Sequence, residues 1–157
     1  MAHTINALCD GCSACAGQCP TNAIFGRFKE RFTIDERLCI DCGVCGWICP
    51  IDAVLDAAGA VVPHLPRDER PRPLIDPQAC NGCRMCVDVC SVNALALVGP
   101  IYRGIAVLSA PLACVACSDC VTVCIKKAVS MGPLDLRTYE PAEHTVRLKE
   151  YLDACSG

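Results

Sequence analysis

Aromatic side chains are scarce in this chain: one tryptophan, three tyrosines and three phenylalanines among 157 residues. So few large rings leave little bulk for a core of ordinary size, so something other than apolar volume must staple the fold. The hydrophobic fraction of 53% is inflated, because all 17 cysteines are counted in it. Without them it falls to roughly 42%, a little under the apolar content of ordinary globular chains. No export signal is visible in MAHTINALC, which has neither a basic start nor a long apolar stretch nor a twin-arginine pair. No run is long enough to span a membrane; the most apolar one, GIAVLSAPLACVAC, is broken by Pro111 and carries Cys114 and Cys117. The expectation is a cytoplasmic protein whose thiols stay reduced. There is no basic face with interleaved aromatics to suggest nucleic acid. A glycine-rich cofactor loop is also missing. His3, His64 and His144 have no catalytic company and read as surface residues.

Cysteine, by contrast, is abundant and ordered. Residues 9–19 read CDGCSACAGQC, 39–49 CIDCGVCGWIC, 80–90 CNGCRMCVDVC and 114–124 CVACSDCVTVC. The thiols fall at i, i+3, i+6 and i+10 each time. A disulfide scaffold would need an oxidising compartment. Structural zinc takes its four ligands as two separated Cys-x2-Cys pairs, whereas these thiols come as three plus one. Four intact runs are too regular for unmetallated core cysteines.

The repeat also organises the chain. The middle gap, Cys49 to Cys80, is the longest and holds HLPRDERPRP, where prolines mixed with charges favour an extended, exposed connection. Two tandem modules follow, 1–62 and 74–134, joined by a linker at 63–73 and ending in a tail at 135–157. FGRFKERFTID reads as a hairpin turning near Lys29-Glu30, and YRGIAVL as a strand. The segments after the fourth cysteines, PTNAI, PIDAVLDA, SVNALAL and IKKAVSM, read as helical turns, with Pro20 and Pro50 at the first helical position. In the tail, Leu148, Tyr151, Leu152 and Cys155 share one helical stripe, with a Glu143–Arg147 pair four apart. That helix either caps its own module or docks on a partner.

A cubane [4Fe–4S] cluster offers four corner irons, each taking one terminal thiolate. A loop with thiols at i, i+3 and i+6 wraps three corners, while the thiol at i+10 points elsewhere. Bacterial ferredoxins use this run, and there the fourth cysteine ligates the other cluster. On that rule Cys9, Cys12 and Cys15 join Cys49, and Cys39, Cys42 and Cys45 join Cys19. Likewise Cys80, Cys83 and Cys86 join Cys124, and Cys114, Cys117 and Cys120 join Cys90. Sixteen ligands make four clusters and leave only Cys155. Over residues 1–134 the chain thus resembles the bacterial-type two-cluster ferredoxins, duplicated into a four-cluster polyferredoxin. The resemblance implies an α+β, ferredoxin-like fold in each module and electron transfer between neighbouring clusters. Pro20 and Pro50 follow the family pattern, but Ser91 and Ile125 replace that proline in the second module.

Gly11, Gly43 and Gly82 suit loops whose backbone N–H groups approach cluster sulfur, and equally a tight turn. Lys126 and Lys127 either favour a reduced cluster or are merely solvated. Each oxidised site contributes about -2, taking the formal -3 to about -11, so docking partners should present basic patches.

With every iron expected to be ligated by cysteine, the reading is an electron conduit without its own substrate site. Four clusters favour a subunit that wires a catalytic subunit to an electron acceptor or flavin subunit. The alternatives are a diffusing polyferredoxin and, further off, a metal-stapled scaffold. The compact size resembles the electron-transfer partners of tungsten or molybdenum enzymes such as the aldehyde oxidoreductase family. Nested pairing of the runs, first with fourth, is disfavoured because the two short gaps lie inside sequential pairs. Head-to-tail self-assembly through the C-terminal stripe is a further expectation.

Overall fold

The computed structural model describes residues 2–156 and divides between Arg70 and Pro71 into two units. The first unit contains β1 (Thr4–Ile5), a 3-10 turn (Ala16–Gln18), β2 (Ile24–Phe25), β3 (Thr33–Ile34), α1 (Val44–Ile48) and β4 (Val54–Leu55). β1 pairs antiparallel with β4, with Ile5 opposite Val54, and β2 with β3, with Ile24 opposite Ile34. The hairpin β2–β3 turns through Lys29, whose φ is 68°. Ile24, Phe32, Ala53 and Val54 form a small core, and Cys45 and Cys49 are part of it.

The second unit repeats this order with longer strands. It comprises β5 (Arg72–Ile75), α2 (Met85–Asp88), β6 (Leu95–Val98), β7 (Ile105–Leu108), α3 (Asp119–Thr122), β8 (Val129–Gly132) and α4 (Pro141–Cys155). β5 pairs with β8, Ile75 opposite Val129, and β6 pairs with β7, Val98 opposite Ile105. In both units the outer strands meet each other and the inner two form a hairpin. Each unit is therefore a small mixed helix and strand module, and the second carries a C-terminal helix.

The chain around 63–73 is more engaged than an exposed connection. Leu65 N–H donates to the Trp47 carbonyl at 2.9 Å, and the buried Arg70 donates to the carbonyls of Leu65 and Trp47 at 3.0 and 3.3 Å. Gly46 of α1 lacks a Cβ because Val62 fills that space. Arg72 and Pro73, read from sequence as the end of the linker, are the first residues of β5.

The helical turns expected after the fourth cysteines are not helices. Each of those segments makes one tight turn and enters a strand: β2, β4, β6 or β8. The N–H of Asn22, Asp52, Asn93 and Lys127 closes the turn onto the carbonyl of Cys19, Cys49, Cys90 and Cys124. The same four residues have φ between 51° and 53°, a left-handed conformation that cannot propagate a right-handed helix. The short helices lie earlier, just before the fourth cysteines, and α1, α2 and α3 each include the third cysteine of their run.

The tail does form a helix, and it uses its apolar stripe internally. Leu148, 6% exposed, packs on Val98, Ile105 and Val107, with Leu152 beside it. Tyr139, just before α4, donates its hydroxyl to the Leu108 carbonyl at 2.7 Å. Of the stripe proposed as a docking element, Leu148 and Leu152 cover the module's own sheet.

Candidate metal centres

Every cysteine run bends the same way. The residue two after the first cysteine is left-handed in each run: Gly11, Asp41, Gly82 and Ala116. So is the residue after the second cysteine: Ser13, Gly43, Arg84 and Ser118. Two such kinks within five residues curl the chain so that the first three thiols turn inward on one loop. In the last three runs a short helix starts immediately afterwards and carries the third cysteine, Cys45, Cys86 or Cys120. Glycine is required only where the loop is also crowded. A Cβ on Gly11 would meet the Glu30 backbone at 2.4 Å, and one on Gly82 the Gly104 carbonyl oxygen at 2.4 Å. Both loops dock on the neighbouring hairpin, through Lys29 N–H to the Gly11 carbonyl and Tyr102 N–H to that of Gly82.

A buried alanine four residues after each fourth cysteine ties two runs together. The N–H groups of Ala23, Ala53, Ala94 and Ala128 donate to Sγ of Cys19, Cys49, Cys90 and Cys124 at 3.2–3.3 Å. Their carbonyls accept from the residue that launches the partner run. Asn6, which precedes Cys9, donates to Ala53, and Asp35, which precedes Cys39, donates to Ala23. In the second unit Asp76 donates to Ala128 and Ala110 to Ala94. The fourth thiol of one run is thereby fixed beside the first three of the other.

Four cavities result. One is lined by Cys9, Cys12, Cys15 and Cys49, and another by Cys19, Cys39, Cys42 and Cys45. The second unit has one lined by Cys80, Cys83, Cys86 and Cys124, and one by Cys90, Cys114, Cys117 and Cys120. The other linings are mostly apolar, and none of the described cysteines is in a disulfide. Burial, aided by neighbouring thiols, pushes Cys15 and Cys86 up to about 11 and Cys45 and Cys120 up to about 12. Burial likewise raises Cys42 and Cys114. Such thiols resist ionising beside one another, and a positively charged iron core removes that resistance.

The 4Fe–4S dicluster domain matches the chain twice, over residues 8–53 and 79–128, which together exceed half its length. The chain belongs to the 4Fe–4S dicluster family. No curated protein matches it. Two dicluster domains carry four [4Fe–4S] clusters, and the cavities fit them in number, donor type and lining. When bound, such a group accepts and gives up single electrons at a potential set by its hydrogen bonds and surroundings. The protein's part is to hold the thiols, exclude water with Ile5, Phe32, Ile34, Leu95 and Ala106, and aim N–H groups at sulfur.

Of the sequence-derived residues, all sixteen cysteines of the runs line these cavities, and Cys155 lies apart, exposed near the end of α4. Lys126 lines the cavity of Cys80, Cys83, Cys86 and Cys124; Lys127 holds the left-handed turn position. His3 is a correction: it is 5% exposed, not a surface residue, and lines the cavity of Cys19, Cys39, Cys42 and Cys45. Its Nδ1 sits 2.7 Å from Asp41 Oδ1 without the alignment of a hydrogen bond. Sequence reasoning missed the alanines and the turn residues before them. The repeated signal was present in TNA, IDA and VNA after Cys19, Cys49 and Cys90, since Asn and Asp tolerate the left-handed region.

Proposed function

We propose that this iron–sulfur electron-transfer protein is a subunit of a multi-subunit oxidoreductase, relaying electrons between a catalytic subunit and an acceptor or flavin subunit. The supporting observation is the set of four thiol-lined cavities in one short chain, since a diffusing carrier needs only one or two. In this reading Cys9, Cys12, Cys15 and Cys49 ligate the first cluster and Cys39, Cys42, Cys45 and Cys19 the second. Cys80, Cys83, Cys86 and Cys124 ligate the third, and Cys114, Cys117, Cys120 and Cys90 the fourth. The chain then has no substrate site of its own; each cluster is closed by cysteine, and electrons are its only traffic. By analogy of size, a tungsten or molybdenum enzyme is the candidate catalytic partner. Its docking face should be basic, matching a holo-protein of about -11.

Anaerobic isolation of the native protein under mild conditions tests this. A stoichiometric catalytic subunit that reduces these clusters with its own substrate supports the subunit reading. A free monomer that exchanges electrons with two separate enzymes establishes the carrier instead.

A further inference from the structure

Matching the two modules by strand register exposes a difference beside one cavity. Ile5 faces Val54 and Ile75 faces Val129, and each valine lies five residues after a fourth cysteine. His3 therefore corresponds to Pro73, and both line the cavity of their module's later run. One step further out, Ala2 corresponds to Arg72. Arg72 is 0% exposed, the largest fully buried side chain among the described residues. Its Nε donates to the Pro111 carbonyl at 2.9 Å and its Nη1 to that of Pro71 at 3.2 Å. Pro111 lies in the turn leading into Cys114, so the guanidinium is held against the backbone that presents a ligand.

An arginine stays protonated throughout, so this is a permanent charge in a poorly screened place. We propose that Arg72 raises the reduction potential of the site formed by Cys90, Cys114, Cys117 and Cys120 above that of its neighbour, making it the resting place for an electron entering the second module. The proposal rests on the electron-transfer reading above and deepens it by giving the flow a direction. The step moves one electron, from the neighbouring site or a low-potential donor, and takes the site from about -2 to about -3. No bond forms or breaks, and no proton is needed. A nearby fixed cation favours the more negative state.

Other charges compete less well. Asp119 lines the same cavity but is only half-buried. At the neighbouring site Arg84 is half-exposed and paired with Asp88 at 2.9 Å, and Lys126 is exposed, so water and salt screen both.

The test is a redox titration of the full-length holo-protein with dithionite, followed by electron paramagnetic resonance. Cys117→Ser marks which signal belongs to the fourth site, and Cys83→Ser marks its neighbour. In the unmodified chain the marked fourth site should be reduced before its neighbour. In Arg72→Met its reduced-to-oxidised ratio at fixed potential should fall about tenfold, a shift of about 59 mV for one electron. Arg72→Lys should keep most of the ratio, and the other three sites should not move. Reduction of the neighbour first, or equal shifts in the Met and Lys variants, or none, overturns the inference. The order of reduction in the unmodified chain decides the matter if Arg72→Met does not assemble. Normal titration of all four sites with Arg72 silent sinks this inference alone; a chain that takes up no iron sinks the electron-transfer reading with it.

Discussion

Leu148→Ala should release α4 without emptying the iron sites. Leu148 is the one buried residue of the helix and seats it on Val98, Ile105 and Val107. Truncating a buried leucine costs about 2–5 kcal/mol, depending on how far the surroundings close in. Here the helix lies over a sheet and can settle into the gap, so about 3 kcal/mol is the working figure. A 15-residue helix is marginal on its own, so its packing on the sheet, through Leu148 and more weakly Leu152, holds it in place. At 1.4 kcal/mol per decade, its opening equilibrium should rise about 100-fold. Amide hydrogen exchange in the holo-protein reads this directly, as lost protection across 141–155 with iron and sulfide content unchanged. Val146→Ala on the same helix, at a residue 55% exposed, serves as the control and should stay within about 0.5 kcal/mol. Unchanged exchange in Leu148→Ala would refute the anchoring role, and loss of iron would show that α4 is integral to the clusters.

Gly82→Ala should destabilise the holo-protein in a thermal melt, because a left-handed alanine costs about 1–2 kcal/mol before the clash with the Gly104 carbonyl is counted. Gly17→Ala, which meets nothing within 4 Å, should be tolerated, and equal effects would refute the docking of that loop. Anaerobic chelation of iron should leave the chain largely unfolded by far-UV circular dichroism, since its cores are small and partly built of thiols; a native-like spectrum with a sharp melt contradicts this. Any fold surviving without iron should weaken with rising pH. The third cysteines are raised from 9.0 to about 11 or 12, so their contribution is present below the unfolded value and is lost as pH climbs through that window. Structure that persists unchanged above this range would contradict the assignment.

The spacing of the thiols made the module type legible from sequence, because three donors at i, i+3 and i+6 with a fourth at i+10 answer a geometric demand of the cluster. The β2–β3 hairpin and β7 were legible too, the first from its polar turn at Lys29-Glu30 and the second from the short apolar run that ends YRGIAVL. The segments after the fourth cysteines were misread. Proline after cysteine suits a helix start, but the competing signal was backbone conformation at the third position, where Asn22, Asp52 and Asn93 sit. Lys127 takes the same conformation without that preference, so no composition rule would have found it. The burial of His3 was hidden because it depends on β1 closing against β4, a pairing across almost the whole module. The prolines and charges of 63–73 suggested solvent exposure, yet Arg70 and Arg72 are buried through backbone carbonyls supplied by distant residues, Trp47 and Pro111.

The central claim is that each cluster takes three thiols from one run and the fourth from its partner. Cys49→Ser tests it most directly, because Cys49 follows Cys39, Cys42 and Cys45 in sequence yet lines the cavity of Cys9, Cys12 and Cys15. The measurement is the electron paramagnetic resonance spectrum of the anaerobically reduced variant. Cys12→Ser marks the first site and Cys42→Ser the second. The account predicts that Cys49→Ser perturbs the signal altered in Cys12→Ser and leaves the one altered in Cys42→Ser intact. Perturbation of the second signal with the first untouched would show that the run serves its own cluster, and the crossed arrangement would be wrong.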